Sequence, residues 1–326
     1  MSLSKTFKGA ASIAARRLAG GALGLGLVCA VALGAPAPSF AQDAAPAPAL
    51  KPIPQAQGTG PALWVVSDAD STIYLFGTVH VLRPDTAWGS PRLEAAFDSA
   101  SEIWFEIDNP DDQAAIVPLI QQHGLSPDRP LSHLITTQDL NLLQLASSTV
   151  GSSAAQMDPF RPWLAALTLS VAPLVEAGYD PQSGVELTLR ARAIHNGQPV
   201  KGLETLDEQI RILAGFSEPT QVAFLHATLE SFDEAPVALD ALVNAWASGD
   251  VASIERLGVD EMRNSGAEIY QSMLVRRNQN WAGQIQTMLE GSGVTFIAVG
   301  AAHLAGEDGV QEILKDRGVA VAEAAR

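Results

Sequence analysis

Hydrophobic and polar positions follow two different rhythms along this chain, and the switches between them mark its elements. Leu63-Trp64-Val65-Val66 and Ile73-Tyr74-Leu75-Phe76 are β-branched and aromatic runs separated by Asp68–Ser71. That arrangement predicts a hairpin or paired strands. Residues 94–101 have the spacing of a short amphipathic helix. Glu102-Ile103-Trp104-Phe105-Glu106-Ile107 is the next strand, apolar enough to be buried on both faces. From about 111 to 196 the pattern is helical, broken at Pro127, Pro130, Pro159 and Pro162, and residues 163–177 are apolar nearly all round. Ser183-Gly184-Val185-Glu186 has capping-box spacing, so a helix starts there and ends at Asn196-Gly197.

The rest of the chain repeats both rhythms. Residues 199–203 form a short strand, with turns at 215–219 and at Gly249 and a long helix over about 267–289. Residues 294–299 are a strongly apolar strand, 307–315 a helix and 319–322 a last strand. Strands thus alternate with helices at both ends and enclose a helical block at about 110–196. The fold expected is α/β: a central, largely parallel sheet built from N- and C-terminal segments with helical insertions between them. No short-period repeat is present.

The N-terminus changes the picture of where this domain works. Lys5, Lys8, Arg16 and Arg17 precede an apolar, glycine-rich stretch at 18–35, and Ser39-Phe40-Ala41 fits a small-x-small cleavage site. Residues 1–41 read as a signal peptide with cleavage after Ala41, which places the protein in the periplasm or outside the cell. No membrane span remains after cleavage. Cys29, the sole cysteine, leaves with the signal, so disulfides, thiolate catalysis and Cys-ligated zinc are excluded from the mature chain. Residues 42–60, rich in Ala, Pro, Gln and Gly, read as a flexible tether ahead of one domain at 61–326.

Charge narrows the partners. Removing four of the 20 basic residues leaves 16 against 36 acidic ones, a formal charge of about −20. Such a surface repels nucleic acid and anionic lipid. A hydrophobic content of 47 % supports a packed core rather than disorder.

The candidate chemistry lies at strand ends. Phe76-Gly77-Thr78-Val79-His80 and Val299-Gly300-Ala301-Ala302-His303 each carry an apolar strand into Gly, two residues, then His. In α/β sheets the carboxyl ends of strands face the ligand crevice. Glutamates repeat the placement: Glu106 ends one strand, and Glu204 follows the strand at 199–203. Two imidazoles and two carboxylates match hard-metal or zinc ligation without sulfur. One carboxylate could instead act as base toward a metal-bound water. Arg277-Asn278, with Trp281 one turn on, adds a group suited to binding a carboxylate or oxyanion.

Together these residues resemble the TraB/GumN family, related to the Tiki and PrgY proteins. The motifs that carry the resemblance are Leu63-Trp64, Tyr74–His80, Phe105-Glu106, Gly202-Leu203-Glu204-Thr205 with Gln209, Arg277-Asn278 with Trp281, and Val299–Leu304 followed by Gly306 and Gly309. They span nearly all of the mature chain. The resemblance implies a superfamily with erythromycin-esterase-like and ChaN-like proteins, and Tiki members are described as metal-dependent proteases with paired Gly-x-x-His motifs. It points to His80, Glu106, Glu204, Arg277 and His303. Where the family often has Gly-x-Asp at the start of the central helix, this chain has Gly184-Val185-Glu186, and Glu186 is assigned to the capping box, outside the site.

The expectation is therefore a periplasmic, metal-dependent, peptidase-like hydrolase. His80 and His303 bind Mn, Co or Zn, and Glu106 or Glu204 completes the shell while the other activates water. Arg277 stabilises the oxyanion, and the substrate is a peptide or another small or extended molecule. The alternative is a non-catalytic periplasmic protein that binds a peptide, saccharide or haem, or that accompanies a polysaccharide.

Overall fold

A computed structural model describes residues 52–110 and 112–325. The expected signal peptide at 1–41 and the first part of the tether lie outside the described residues. The rest of the tether lies along the domain rather than free of it. Gln55 bridges Gly89, and Arg92 donates to the carbonyls of Thr59 and Pro61.

Six strands form one mixed sheet: β1 Leu63–Ser67, β2 Ser71–Thr78, β3 Glu102–Phe105, β4 Val200–Gly202, β5 Gly293–Gly300 and β6 Val321–Glu323. Their spatial order is β4-β3-β5-β2-β1-β6. β4, β3, β5 and β2 run parallel, while β1 is antiparallel to both its neighbours. The parallel sheet assembled from both ends of the chain is as expected. β5, from the C-terminal segment, is inserted between β2 and β3.

The two-residue period of the central strands sends side chains to two cores. Phe76, Phe296 and Ala298 enter the larger core, shared with the helical insertion. Ile73, Leu75, Ile297 and Val299 enter a smaller one beneath the C-terminal helices. Burial on both faces therefore holds for β2 and β5. It does not hold for β3, where Glu102 and Trp104 are half-buried. β3 lies one strand from the sheet edge, and Lys201 of β4 pairs with Glu102 instead of covering that face with apolar groups.

The helices that matter for the site are α1 Pro91–Ser99, α2 Gln113–His123, α3 Thr137–Thr149, α4 Pro162–Ser170, α5 Val185–Asn196, α6 Leu206–Ala214, α7 Glu218–Glu230, α8 Ala235–Ala247, α9 Arg276–Leu289 and α10 Val310–Asp316. α5 ends as expected, on Gly197 in the left-handed region. Its start corrects the sequence reading. Gly184, not Ser183, is the N-cap, and no side chain caps this end. Ser183 closes a 3-10 turn and donates to Asp180. Glu186 is thereby left without a capping role. The single long helix expected over 267–289 is three segments: Ala267–Tyr270, a π turn over Gln271–Val275, then α9.

Candidate active site

Strand register brings the two histidine motifs together. β2 and β5 are parallel, with Gly77 opposite Val299 and Thr78 opposite Gly300. A Cβ on Gly77 would lie 3.1 Å from Ala301 Cα and 3.2 Å from its Cβ, so only glycine lets the two loops touch without displacement. Trp246 Nε1 donates to the Gly77 carbonyl at 2.7 Å and ties this turn to α8. β3 and β4 end beside them. Leu203 N–H donates to Phe105 O and Glu204 N–H to Glu106 O, so the two glutamates are neighbours across the same edge.

All five expected site residues thus reach the carboxyl end of the parallel strands, and one of them, Arg277, organises three of the others. Its Nη2 donates to Glu106 Oε2 at 2.7 Å and Glu204 Oε2 at 2.8 Å. Nε lies 3.0 Å from both oxygens of Glu204. Nη1 donates to Met273 O, a carbonyl of the π turn, at 3.2 Å and to His303 Nε2 at 3.1 Å. A guanidinium has five N–H donors, and every nitrogen of this one is engaged. Gln209 Nε2 donates to Glu106 Oε2 at 3.0 Å and to Glu204 Oε2 at 3.3 Å. The backbone N–H of Gly300 donates to Glu106 Oε1 at 2.8 Å.

These contacts set the charge states. Burial pushes the Glu106 pKa up, but Arg277, His303 and His80 outweigh it and hold the carboxyl at about 2. Glu106 is therefore a fixed anion at neutral pH, unsuited to the general-base role expected of it. Arg277 is likewise a fixed cation: burial opposes its charge, and the two glutamates more than restore it.

The His303 tautomer follows from its partners. Asn278 Nδ2 donates to the Asp308 carbonyl at 2.6 Å, which turns Asn278 Oδ1 toward His303 Nδ1 at 2.5 Å. Nδ1 therefore carries a proton, and Nε2 accepts from Arg277. The imidazole packs on Trp281 with ring centroids 4.4 Å apart.

His80 has different company. Its Nδ1 lies 2.7 Å from Glu186 Oε1, and Thr78 Oγ1 donates to the same oxygen. Its Nε2 is buried and has no hydrogen-bond partner among the described residues. Burial lowers the His80 pKa, but Glu186 first and Glu106 second outweigh it, and the net shift is upward. Glu186 is the site residue that sequence reasoning left out. Its signal was the Gly-x-acid pattern opening the central helix, which reads equally well as a cap. Two backbone contacts deliver it: Val185 N–H donates to Val79 O at 3.0 Å, and Gly184 lies so close to His80 that a Cβ would be 2.4 Å from the His80 carbonyl oxygen.

The metal expected from the sequence does not fit this arrangement. Glu106, Glu204 and His303 Nε2 converge on a guanidinium, which occupies the point a divalent ion would need. His80 Nδ1 is turned to Glu186, leaving one nitrogen for any ion. Among the described residues, no three His, Cys, Asp or Glu side chains are arranged to hold a metal ion. The oxyanion role expected of Arg277 also changes, because its donors are spent on Glu106, Glu204, Met273 and His303.

The model of the TraB/PrgY/gumN family matches residues 62–323. The chain belongs to this family. The match runs from β1 to β6, so it includes the whole sheet and every residue of the site. An uncharacterized protein of Treponema pallidum (strain Nichols) is 20 % identical over 268 residues, covering 78 % of this chain and 80 % of its own. No solved structure matches. Family membership agrees with the resemblance carried by the paired Gly-x-x-His, Phe-Glu, Gly-Leu-Glu-Thr and Arg-Asn motifs.

Proposed function

We propose that this protein is an exported hydrolase in which His80 takes the proton from the attacking water. One observation carries the reading. His80 Nε2 is buried without a partner while Nδ1 is held by Glu186, the posture of a general base oriented by a carboxylate. In this reaction Nε2 accepts a proton from water as the water oxygen bonds to the substrate carbonyl carbon. The carbonyl π electrons move to its oxygen. When the intermediate collapses, the scissile bond breaks and the leaving group takes the proton back from His80. Glu186 and Glu106 both favour the imidazolium that forms in between. Arg277 and His303 keep the floor of the site rigid and Glu106 charged.

A peptide substrate is supported by the resemblance to Tiki proteases, and export by the basic, then apolar, N-terminal segment. No helix among the described residues is long and apolar enough to cross a membrane. His80, Glu106, Arg277 and His303 are each 6 % exposed or less.

The test is peptide hydrolysis by the purified chain, with chelator and with added Mn²⁺, Co²⁺ or Zn²⁺. Turnover should survive chelation and fall by about 10²–10⁴-fold in His80→Asn, the usual worth of general-base catalysis. Full activity in His80→Asn would overturn the reading. Turnover strictly dependent on an added ion would overturn the metal-free path, because Arg277 would then have to withdraw from the carboxylates.

A further inference from the structure

A hydrogen-bonded chain runs from the surface to His303, and most of it plays no part in the contacts around Arg277. Residues 305–309 join the 3-10 turn Ala301–Leu304, which carries His303, to α10. The join is short and turns on Gly306, whose φ is 77°, with Gly309 N–H donating to Gly306 O at 3.1 Å. Asp308 is held at two points of this loop. Its carbonyl accepts from Asn278 Nδ2 at 2.6 Å, and its Oδ2 accepts from the Tyr270 hydroxyl at 2.5 Å. Arg263 Nη2 donates to the same hydroxyl at 2.8 Å, and Arg263 also pairs with Asp260 and Glu307.

The π turn over Gln271–Val275 explains why Tyr270 and Asn278 meet at one residue. At about 100° per residue, positions eight apart on an unbroken α-helix point about 80° away from each other. A π turn takes up one extra residue, which brings them within about 20°. Tyr270 closes the segment before the turn, and Asn278 is the third residue after it. Both therefore reach the 305–309 loop, one holding the Asp308 side chain and the other its carbonyl. Tyr270, Asn278 and His303 are all buried. Burial and the bond to Asp308 push the Tyr270 pKa up to about 12, so the hydroxyl keeps the proton it donates.

We propose that Tyr270 and Asp308 are positioning residues for His303. Tyr270 fixes the Asp308 side chain, and with it the place of the carbonyl that Asn278 must reach. With Nδ2 spent on that carbonyl, Asn278 offers Oδ1 to His303 Nδ1 at 2.5 Å. The Nδ1 proton stays there, and Nε2 stays bare to accept from Arg277 at 3.1 Å. Without the tyrosyl hydroxyl the loop is free to shift and the Asn278 amide to turn over, and His303 can carry its proton on either nitrogen. A proton on Nε2 would face an Arg277 N–H, two donors with no acceptor between them. Tyr270 acts at a distance, through three successive hydrogen bonds. The proposal rests on the reading of this strand edge as a catalytic site, but its effect on His303 is observable without turnover.

The experiment is nitrogen-15 NMR of the histidine rings in the purified chain, wild type and Tyr270→Phe, with folding checked by circular dichroism. Wild-type His303 should show one protonated and one bare ring nitrogen. In Tyr270→Phe the two signals should move toward each other as the proton is shared between the nitrogens. Peptide hydrolysis should fall about two- to tenfold in kcat with KM unchanged, as expected for one lost hydrogen bond. Arg263→Gln, at a side chain 38 % exposed, keeps the fold and should shift the His303 signals the same way by less. His303 signals identical to wild type in a folded Tyr270→Phe protein overturn the proposal, since the tyrosine would then serve stability alone. If Tyr270→Phe does not fold, identical signals in Arg263→Gln overturn it instead. Shifted His303 signals with no turnover in any form contradict the hydrolytic reading and uphold the positioning network.

Discussion

At the residue scale, the site is governed by one buried cation shared between two buried carboxylates. Removing it leaves Glu106 and Glu204 facing each other without compensation. Arg277→Met should therefore destabilise the protein by about 3–5 kcal/mol, read as a shift of the denaturation midpoint. Glu106→Gln should matter mainly in acid. The folded carboxyl is held at about 2, below the roughly 4.3 of an unfolded glutamate. Its contribution is thus fully present above about pH 4.3 and lost as pH falls toward about 2. The wild type should lose stability across that window, and Glu106→Gln should lose less, as followed by circular dichroism against pH. His80 stands apart from this lock. The sequence reading grouped His80 and His303 as equals, whereas both ring nitrogens of His303 are engaged, by Arg277 and Asn278, and His80 keeps an unused nitrogen.

At the element scale, the decisive piece is the start of α5. The chain passes so near the His80 backbone that Gly184 has no room for a methyl group, its Cβ falling 2.4 Å from the His80 carbonyl oxygen. The atom it would meet is main chain, so relief requires α5 or the His80 loop to move. Gly184→Ala should cost about 1–3 kcal/mol of stability. It should also pull Glu186 from His80, so hydrolysis should drop further in a folded Gly184→Ala protein than stability loss explains. Hydrolysis tracking the folded fraction alone would contradict that role for α5. The π turn before α9 makes a comparable contribution on the other side. It presents the Met273 carbonyl to Arg277, and π turns inside helices recur at functional sites. A continuous helix, as the apolar spacing of 267–289 implied, would keep that carbonyl in its own ladder.

At the scale of the whole molecule, the sheet is closed by its last segment. β5 lies between β2 and β3, ends on Gly300 and leads into the 3-10 turn that carries His303, while β6 adds an edge strand against β1. Removing residues 318–326 should lower the melting temperature but keep one cooperative transition. Removing residues 293–326 should abolish cooperative melting, since β2 and β3 lose the strand that pairs with both of them. Calorimetry of the two truncated chains distinguishes these outcomes.

The strand-end positions of His80, Glu106, Glu204 and His303 were legible in the sequence because strand period and terminating residues are local properties. So were the parallel sheet and the segments that build it, since runs such as 294–299 fit little else. The order of residues also carried the family. What the sequence could not determine was which way each side chain turned once there. Two imidazoles and two carboxylates at one edge are compatible with a metal, and only packing placed the Arg277 guanidinium at their centre. Glu186 was hidden for the same reason. A carboxylate in the first turn of a helix serves the helix N-terminus equally well on local grounds, and its pairing with His80 depends on a backbone contact between segments about a hundred residues apart. Local periodicity decides where chemistry stands. Long-range packing, through backbone approach and the cost of leaving a buried charge uncompensated, decides what each group faces.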